Sequence, residues 1–390
     1  MGIWVDSCAV SYDRGKLTRC GDCSGVFEMK KLFALGCLAR SSFCLALVGV
    51  VSCSKFVLAD LPPLSPAAMA NGASVMRVAG FEFVSIGGLG NAPVPRDMQV
   101  GFQYRPQLAT VDYNYAVSRT EVTYAEYLPF VRAYVTHFDP TTVPSFNLEG
   151  EGILFAGGDT RNPQNYYLRP GYEHSAANVG YRFGARYCNW LNNDRANTAA
   201  ALSTGAYDAS TFLPDYTDGS QDHVARLPGA KFFMPTLSEW TKAMYFDGNR
   251  FGAGQAGYWE FPTASNNVPA FGLPSDGGET SAGLPNIGIS TPLPVASYTN
   301  VMSPWGLFDG SGGAEEWLEE SVSFDPQSRY TRGTGFYGSP ASGDQIEWVR
   351  GLHSLGISNV AGIRIATVIP SVPTGLVVLF SCSVFFRRSR

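Results

Sequence analysis

Sulfur is what the body of this chain lacks. Of its eight cysteines, Cys8, Cys20, Cys23, Cys37, Cys44 and Cys53 precede Asp60 and Cys382 lies near the end, which leaves Cys188 alone between residues 60 and 369. No disulfide can form inside that stretch, although exported chains often lean on them. It must be held by its core, and about 300 residues suffice for one. Charge is also scarce: charged residues make up 16% of the chain and the formal net charge is −5, against about a quarter charged in a typical globular chain. Lys and Arg form no cluster before the last residues, which excludes a nucleic-acid surface. The four histidines, His137, His174, His223 and His353, are too far apart in sequence for two to share a helical turn, so neighbouring ligands build no facial metal site. No Gly-x-Ser-x-Gly elbow stands in a strand-to-helix setting. Gly310-Ser311-Gly312-Gly313 has no following Lys to make a phosphate cradle and reads as a turn. Cys20-x-x-Cys23 has no second pair and reads as an accident of spacing. What is abundant is aromatic residues, 13%, with 43 glycines and 25 prolines; such a chain is rich in loops and packed with rings.

The two ends carry sorting signals. From Met29 a basic start (Lys30, Lys31, Arg40), an apolar stretch around Phe43–Val51 and the small-residue site Val57-Leu58-Ala59 before Asp60 read as a signal peptide. A rival cut at Val50-Val51-Ser52-Cys53 has lipoprotein character. Met1–Glu28 shows no such logic and reads as an over-called start or a leader extension. At the other end Pro370–Arg390 opens with Pro-x-x-Pro, continues with the apolar run Gly375–Phe386 and closes with Arg387, Arg388 and Arg390. The run is short for a permanent span, which needs about 20 apolar residues, and its arginines would stay on the cytoplasmic side. This order resembles the PEP-CTERM sorting tails of Gram-negative bacteria, although Val372-Pro373-Thr374 stands where Pro-Glu-Pro is usual. The resemblance implies exosortase-type machinery as a partner, residence in the cell envelope or at the cell surface, and membrane contact only through the tail. The expected organisation is therefore 1–28 leader extension, 29–59 signal peptide, 60–75 linker, 76–369 domain and 370–390 tail.

Within the body, Ser74–Ile86 alternates as one strand and Tyr113–Glu121 as another. Thr123 caps a helix with Glu126 in its first turn and Tyr127, Phe130, Val131 and Tyr134 at helical spacing. A polar loop is expected from Asp139 to about Asn178. Tyr181–Leu191 then forms an amphipathic helix with Phe183, Tyr187, Trp190 and Leu191 on one stripe; Cys188, on this helix, is a small core hydrophobe. Thr236 and Glu239 make a capping box before the helix of Trp240, Met244 and Tyr245. From there to Thr299 little regular structure is expected, and loops of that length need a bound cation or aromatic plugs such as Tyr258, Trp259 and Phe261 to fix them.

Five ordered blocks carry a resemblance: SRTEVTYAEYLPF, VGYRFGARYCNWLNN, MPTLSEWTKAMYFDG, WGLFDGSGGAEEWLE, and RGTGF followed by GIRIA. Together they resemble the formylglycine-generating enzyme domain, also called the sulfatase-modifying factor domain, over about Met76–Thr367. EFPTASN at Glu260–Asn266 is similar to the exported subgroup. The resemblance implies one compact α+β domain with little regular structure, akin to the C-type lectin fold. The family's aerobic enzyme holds copper(I) on two cysteines between the blocks matched here by Arg332 and Arg364. That interval contains no cysteine, so no copper and no catalytic residue are expected, since copper(I) favours soft thiolates. The resemblance also implies structural calcium, at Asp309, Gly310, Gly312 and Ala314 and, for a second ion, at Asn286-Ile287. Oxygen ligands of that kind suit calcium. Gly313 and Glu315 depart from the family's Asn and Trp, while Glu316-Trp317 is kept. Glu316 is expected to be a buried carboxylate bonded to loop amides.

Three readings follow. One is a non-catalytic surface protein that binds a polysaccharide or another protein through its aromatic loop face. A second is an enzyme of unfamiliar mechanism, with Asp309, Glu316, Arg332, His353 and Arg364 as its polar groups. The third is a purely architectural surface component. Arg332 and Arg364 are expected to tie loops together through their multiple donors.

Overall fold

The computed structural model describes residues 61–100, 104–212, 218–337, 340–356 and 360–369, with the backbone of three N-terminal strands. The signal peptide and sorting tail expected from the sequence lie outside the described residues. Met1–Val57 and Leu58–Arg390 are separate units. In the first, β1 (Gly2–Val5), β2 (Cys8–Asp13) and β3 (Lys16–Arg19) form an antiparallel meander.

The second unit starts with helix α1 (Pro66–Ala70), capped by the Ser65 hydroxyl. The expected strand Ser74–Ile86 is two strands, β4 (Val75–Val78) and β5 (Phe81–Ile86). Ala79 and Gly80 between them have φ of 51° and 86°, the left-handed pair that a two-residue hairpin needs. The apolar alternation runs straight through this reversal, which is why it reads as one element. After β6 (Tyr115–Ser118), the capping box of Thr123 and Glu126 opens α2 (Tyr124–His137). Pro129 sits inside α2 on its exposed side.

The expected polar loop is partly ordered into helix α3 (Ser145–Glu149) and a hairpin of β7 (Ile153–Phe155) with β8 (Tyr166–Leu168). Next come α4 (Tyr181–Asn192), α5 (Ala199–Ser203), β9 (Phe232–Phe233) and α6 (Leu237–Tyr245), the last with the Thr236–Glu239 capping box. Between α6 and residue 299 the strands are two residues long, β10 (Phe246–Asp247) and β11 (Gly257–Tyr258). Aromatic plugs anchor this stretch: Tyr258 and Phe261 are buried, the Tyr258 hydroxyl donates to Ala92 O, and Trp259 Nε1 donates to Asp247.

The final strands are β12 (Glu315–Val322), β13 (Asp325–Arg332), β14 (Arg350–His353), β15 (Ala361–Gly362) and β16 (Ala366–Val368). A five-stranded antiparallel sheet runs β4-β5-β6-β16-β9, so the end of the domain closes against its beginning. A second sheet runs β14-β13-β12-β15, with β12 and β15 parallel. Helices α2 and α4 meet through Tyr127, Phe130, Tyr187 and Trp190, whose ring centroids lie 5.1–6.0 Å apart. Each such pair adds about 0.5–1.5 kcal/mol beyond burial. Cys188 is buried in this layer, where desolvation pushes its thiol far above the ordinary range.

Candidate functional site

The block Trp305–Glu319 crosses the heart of the domain. Asp309 adopts a left-handed φ of 58°, which Asp tolerates better than most residues. Gly312 and Gly313 follow with φ of 89° and 66°. A Cβ on Gly312 would come within 2.6 Å of Ser281 Oγ, and one on Gly313 would collide with Glu121 Oε1. The glycines therefore let a buried carboxylate sit against the turn.

That carboxylate, Glu121, lies in the SRTEVTYAEYLPF block, but nothing in the block marks it as a site residue. Its Oε1 accepts from Ala314 N at 2.9 Å, while Oε2 is buried without a hydrogen-bond donor and lies 3.9 Å from Arg364 Nη2. Asp309 Oδ2 accepts from Ala296 N at 2.6 Å. Burial, then the neighbouring Asp309 charge, hold the Glu121 carboxyl well above the usual range; burial pushes Asp309 up to about 6 despite the Ala296 amide and Arg364.

Arg364 binds what remains. Its Nε donates to Glu316 Oε1 and Oε2 at 2.8 and 2.9 Å, its Nη1 to Ser118 O and its Nη2 to Phe308 O. Trp240 Nε1 also donates to Glu316, at 2.5 Å. Burial alone would lower the Arg364 pKa, but Glu316, Glu121 and Asp309 outweigh it and raise it. Glu316 is thus buried as expected, but its partners are a guanidinium and an indole in place of loop amides. Arg364 ties the end of β6 at Ser118 to the loop at Phe308, as its donor count suggests.

Arg332 pairs in register with Glu316 across β12 and β13. Its side chain packs over the rings of Trp240 and Tyr245, 5.2 and 5.0 Å from their centroids. Its Nη1 donates to Ile346 O and Trp348 O, while Nε and Nη2 have no acceptor. Burial lowers its pKa, and Arg105 and Arg350 add to that. Nearby, Asp344 Oδ2 accepts from Ser311 Oγ at 2.5 Å and Thr334 Oγ1 at 2.6 Å. Burial pushes Asp344 up to about 7. Among the described residues between Arg332 and Arg364, Thr334, Phe336, Asp344, Ile346 and Ile363 are buried, while Val349, Arg350 and Gly351 line a cleft partly open to solvent.

The structure thus brings Asp309, Gly310, Gly312, Ala314, Glu316 and Arg364 together. Arg332 adjoins this group through Glu316 and Trp240, while His353, Asn286 and Ile287 stand elsewhere. His353 is exposed on β14 with Nε2 2.8 Å from Gln327 Oε1. Asn286 and Ile287 lie in a 3-10 turn, Leu284–Ile287, where Asn286 N donates to Gly283 O and the Ile287 side chain is exposed. Among the described residues no three carboxylate, imidazole or thiol side chains form a metal cluster. A cation at the turn would depend on backbone oxygens as well. The donor set suits a hard ion: Asp309, the donorless Glu121 Oε2 and the carbonyls of Gly310, Gly312 and Ala314.

No curated protein matches the chain. Among solved structures it is similar to Treponema denticola variable protein 1, with 16% identity and a TM-score of 0.45 over 76% of this chain and 99% of that one. It is similar to CarF, with 17% identity and 0.41 over 75% and 100%, and to PvdO from Pseudomonas aeruginosa, with 17% identity and 0.44 over 76% and 98%. The sequence profile described as "Sulfatase-modifying factor enzyme 1-like domain" matches residues 83–369. That span reaches from β5 through the buried Glu121 and the Asp309 turn to the closing strand β16. The profile covers well over half of the chain, and the chain belongs to the sulfatase-modifying factor, or formylglycine-generating enzyme, family.

Proposed function

We propose that this chain is an exported, surface-associated member of its family that has given up the family's oxidation chemistry and serves as a binding or structural protein. The observation that carries this reading is the interval Arg332–Arg364, which holds no cysteine. That interval offers no thiolate for copper(I), and Thr334, Phe336, Asp344 and Ile346 within it are buried. Its partners on this reading are a surface polysaccharide or protein and, through the tail, exosortase-type sorting machinery. Calcium holds the Asp309 turn, with Glu121 completing the oxygen set; the buried, donorless Glu121 Oε2 supports this, because such an atom is costly unless something satisfies it. The ion's task would be structural, fixing the turn that carries Ala314 and Glu316.

A rival reading is an enzyme of another mechanism. It is favoured by one observation, the adjoining carboxyls of Glu121 and Asp309, both shifted upward by burial, since perturbed carboxyls cluster at functional sites. Metal analysis of purified protein separates the two, together with an assay for aldehyde on a cysteine-bearing peptide under air. Stoichiometric calcium, no copper and no aldehyde are expected. Aldehyde formation with dioxygen consumption would overturn the proposal.

A further inference from the structure

The hairpin β12–β13 closes on the pair Val322 and Asp325, so its loop is Ser323-Phe324. Two-residue hairpin loops favour Gly, Asn and Asp, yet here one position holds a phenylalanine that is 78% exposed. The ring contributes almost nothing to the core and is open to a partner. Phe324 lines a cleft of about 140 Å³, partly open to solvent, together with Arg105, Asp325, Ser328, Tyr330 and Arg350 among others. Trp348, one residue before the lining residue Val349, is 46% exposed.

The polar lining is weighted toward positive charge. Arg105 donates to the Tyr330 hydroxyl and stacks 4.6 Å over its ring. Arg350 reaches Glu315 only at 3.4 Å and keeps a quarter of its side chain exposed. Close by, the buried Arg332 has two donor nitrogens without acceptors, and both Arg105 and Arg350 disfavour its charge. Asp325 is already engaged by Ser328 Oγ at 2.6 Å and Gln327 N at 3.2 Å. Guanidinium forks match a carboxylate in two parallel hydrogen bonds, and exposed rings offer a flat apolar face to a partner that has one.

We propose that this cleft seats a carboxylated sugar of an acidic polysaccharide, with Arg105 and Arg350 facing the carboxylate and Phe324 covering the sugar ring. The proposal rests on the binding reading above and names its site and ligand class. An acidic peptide is the other occupant with a carboxylate. Extended peptides dock by main-chain hydrogen bonds along a sheet edge, and the edge strand here, β14, has four residues; the exposed rings favour the sugar.

The test is calorimetric titration of the full chain with tetragalacturonic acid, its methyl ester and tetraglutamate, repeated on Phe324→Ala and Arg350→Gln. Phe324→Ala removes an exposed ring, so its circular dichroism should match the parent's. The acid is expected to bind, and either substitution or esterification to weaken it about tenfold or more, the size of a contact worth 1.4 kcal/mol. Rising salt should weaken it further. Failure of the parent to bind the acid, equal binding of the methyl ester, or tighter binding of tetraglutamate overturns the proposal. Undiminished binding in both variants overturns this site while leaving a binding function intact. Aldehyde formation alongside normal sugar binding would instead sink the non-catalytic reading and spare the cleft.

Discussion

Gly313→Ala should be among the most damaging small substitutions in the domain, and the structure sets its size. The residue has a φ of 66°, and a side chain in that region costs about 1–2 kcal/mol. The new methyl would also collide with Glu121 Oε1, which accepts from Ala314 N at 2.9 Å. Displacing that buried carboxylate leaves the Ala314 amide without its acceptor, a further cost of about 1–3 kcal/mol. The sum is about 3 kcal/mol, which in a domain of about 300 residues lowers the melting temperature by roughly 5 °C. The mechanism is best tested as a cycle with Glu121→Ala, read by urea unfolding in EGTA so that calcium does not enter. With the carboxylate gone, Gly313→Ala should cost only its backbone strain, so the double variant should be about 1–2 kcal/mol more stable than the sum of the singles. Strict additivity, or a single-variant cost below about 0.5 kcal/mol, would refute the claim that this glycine exists to admit Glu121.

Arg364→Met should cost about 3–5 kcal/mol, because Glu316 and Glu121 are left buried without their counter-charge; Glu316→Gln, which keeps an acceptor for Trp240, should cost less, and a reversed order in chemical denaturation would contradict the pairing described. Burial raises Glu319 to about 8 and Glu320 to about 7, so between pH 4.5 and 8 the folded chain holds protons that the unfolded chain has released. Stability should therefore fall as pH rises through that window, and a urea midpoint that climbs from pH 5.5 to 8 would reject this. If calcium occupies the Asp309 turn, a 100-fold excess over its dissociation constant should add about 2.7 kcal/mol. Scanning calorimetry should show the higher melting temperature in the parent and lose it in Asp309→Asn; an unchanged melting temperature in the parent would remove calcium from the site.

What the sequence made legible was local. Both capping boxes could be read because Thr123 with Glu126 and Thr236 with Glu239 are three residues apart and satisfy each other's backbone. The Gly-rich turn could be read for the same reason. The hairpin of β7 and β8 could not, since three-residue strands with half-exposed side chains carry too little alternation to register. The partners at the site were hidden for a different reason: Glu121 reaches Ala314 across 193 residues and Arg364 reaches Ser118 across 246. A motif states that Glu316 is buried, because a carboxylate flanked by core residues must be, but not which of the buried donors will meet it. That choice is made by closure of the sheet, when β16 pairs with β6 and carries Arg364 inward. The glycine at position 313 is where the two kinds of information meet. The glycine is visible in sequence, and the carboxylate that leaves no room for a side chain there appears only once the domain has closed.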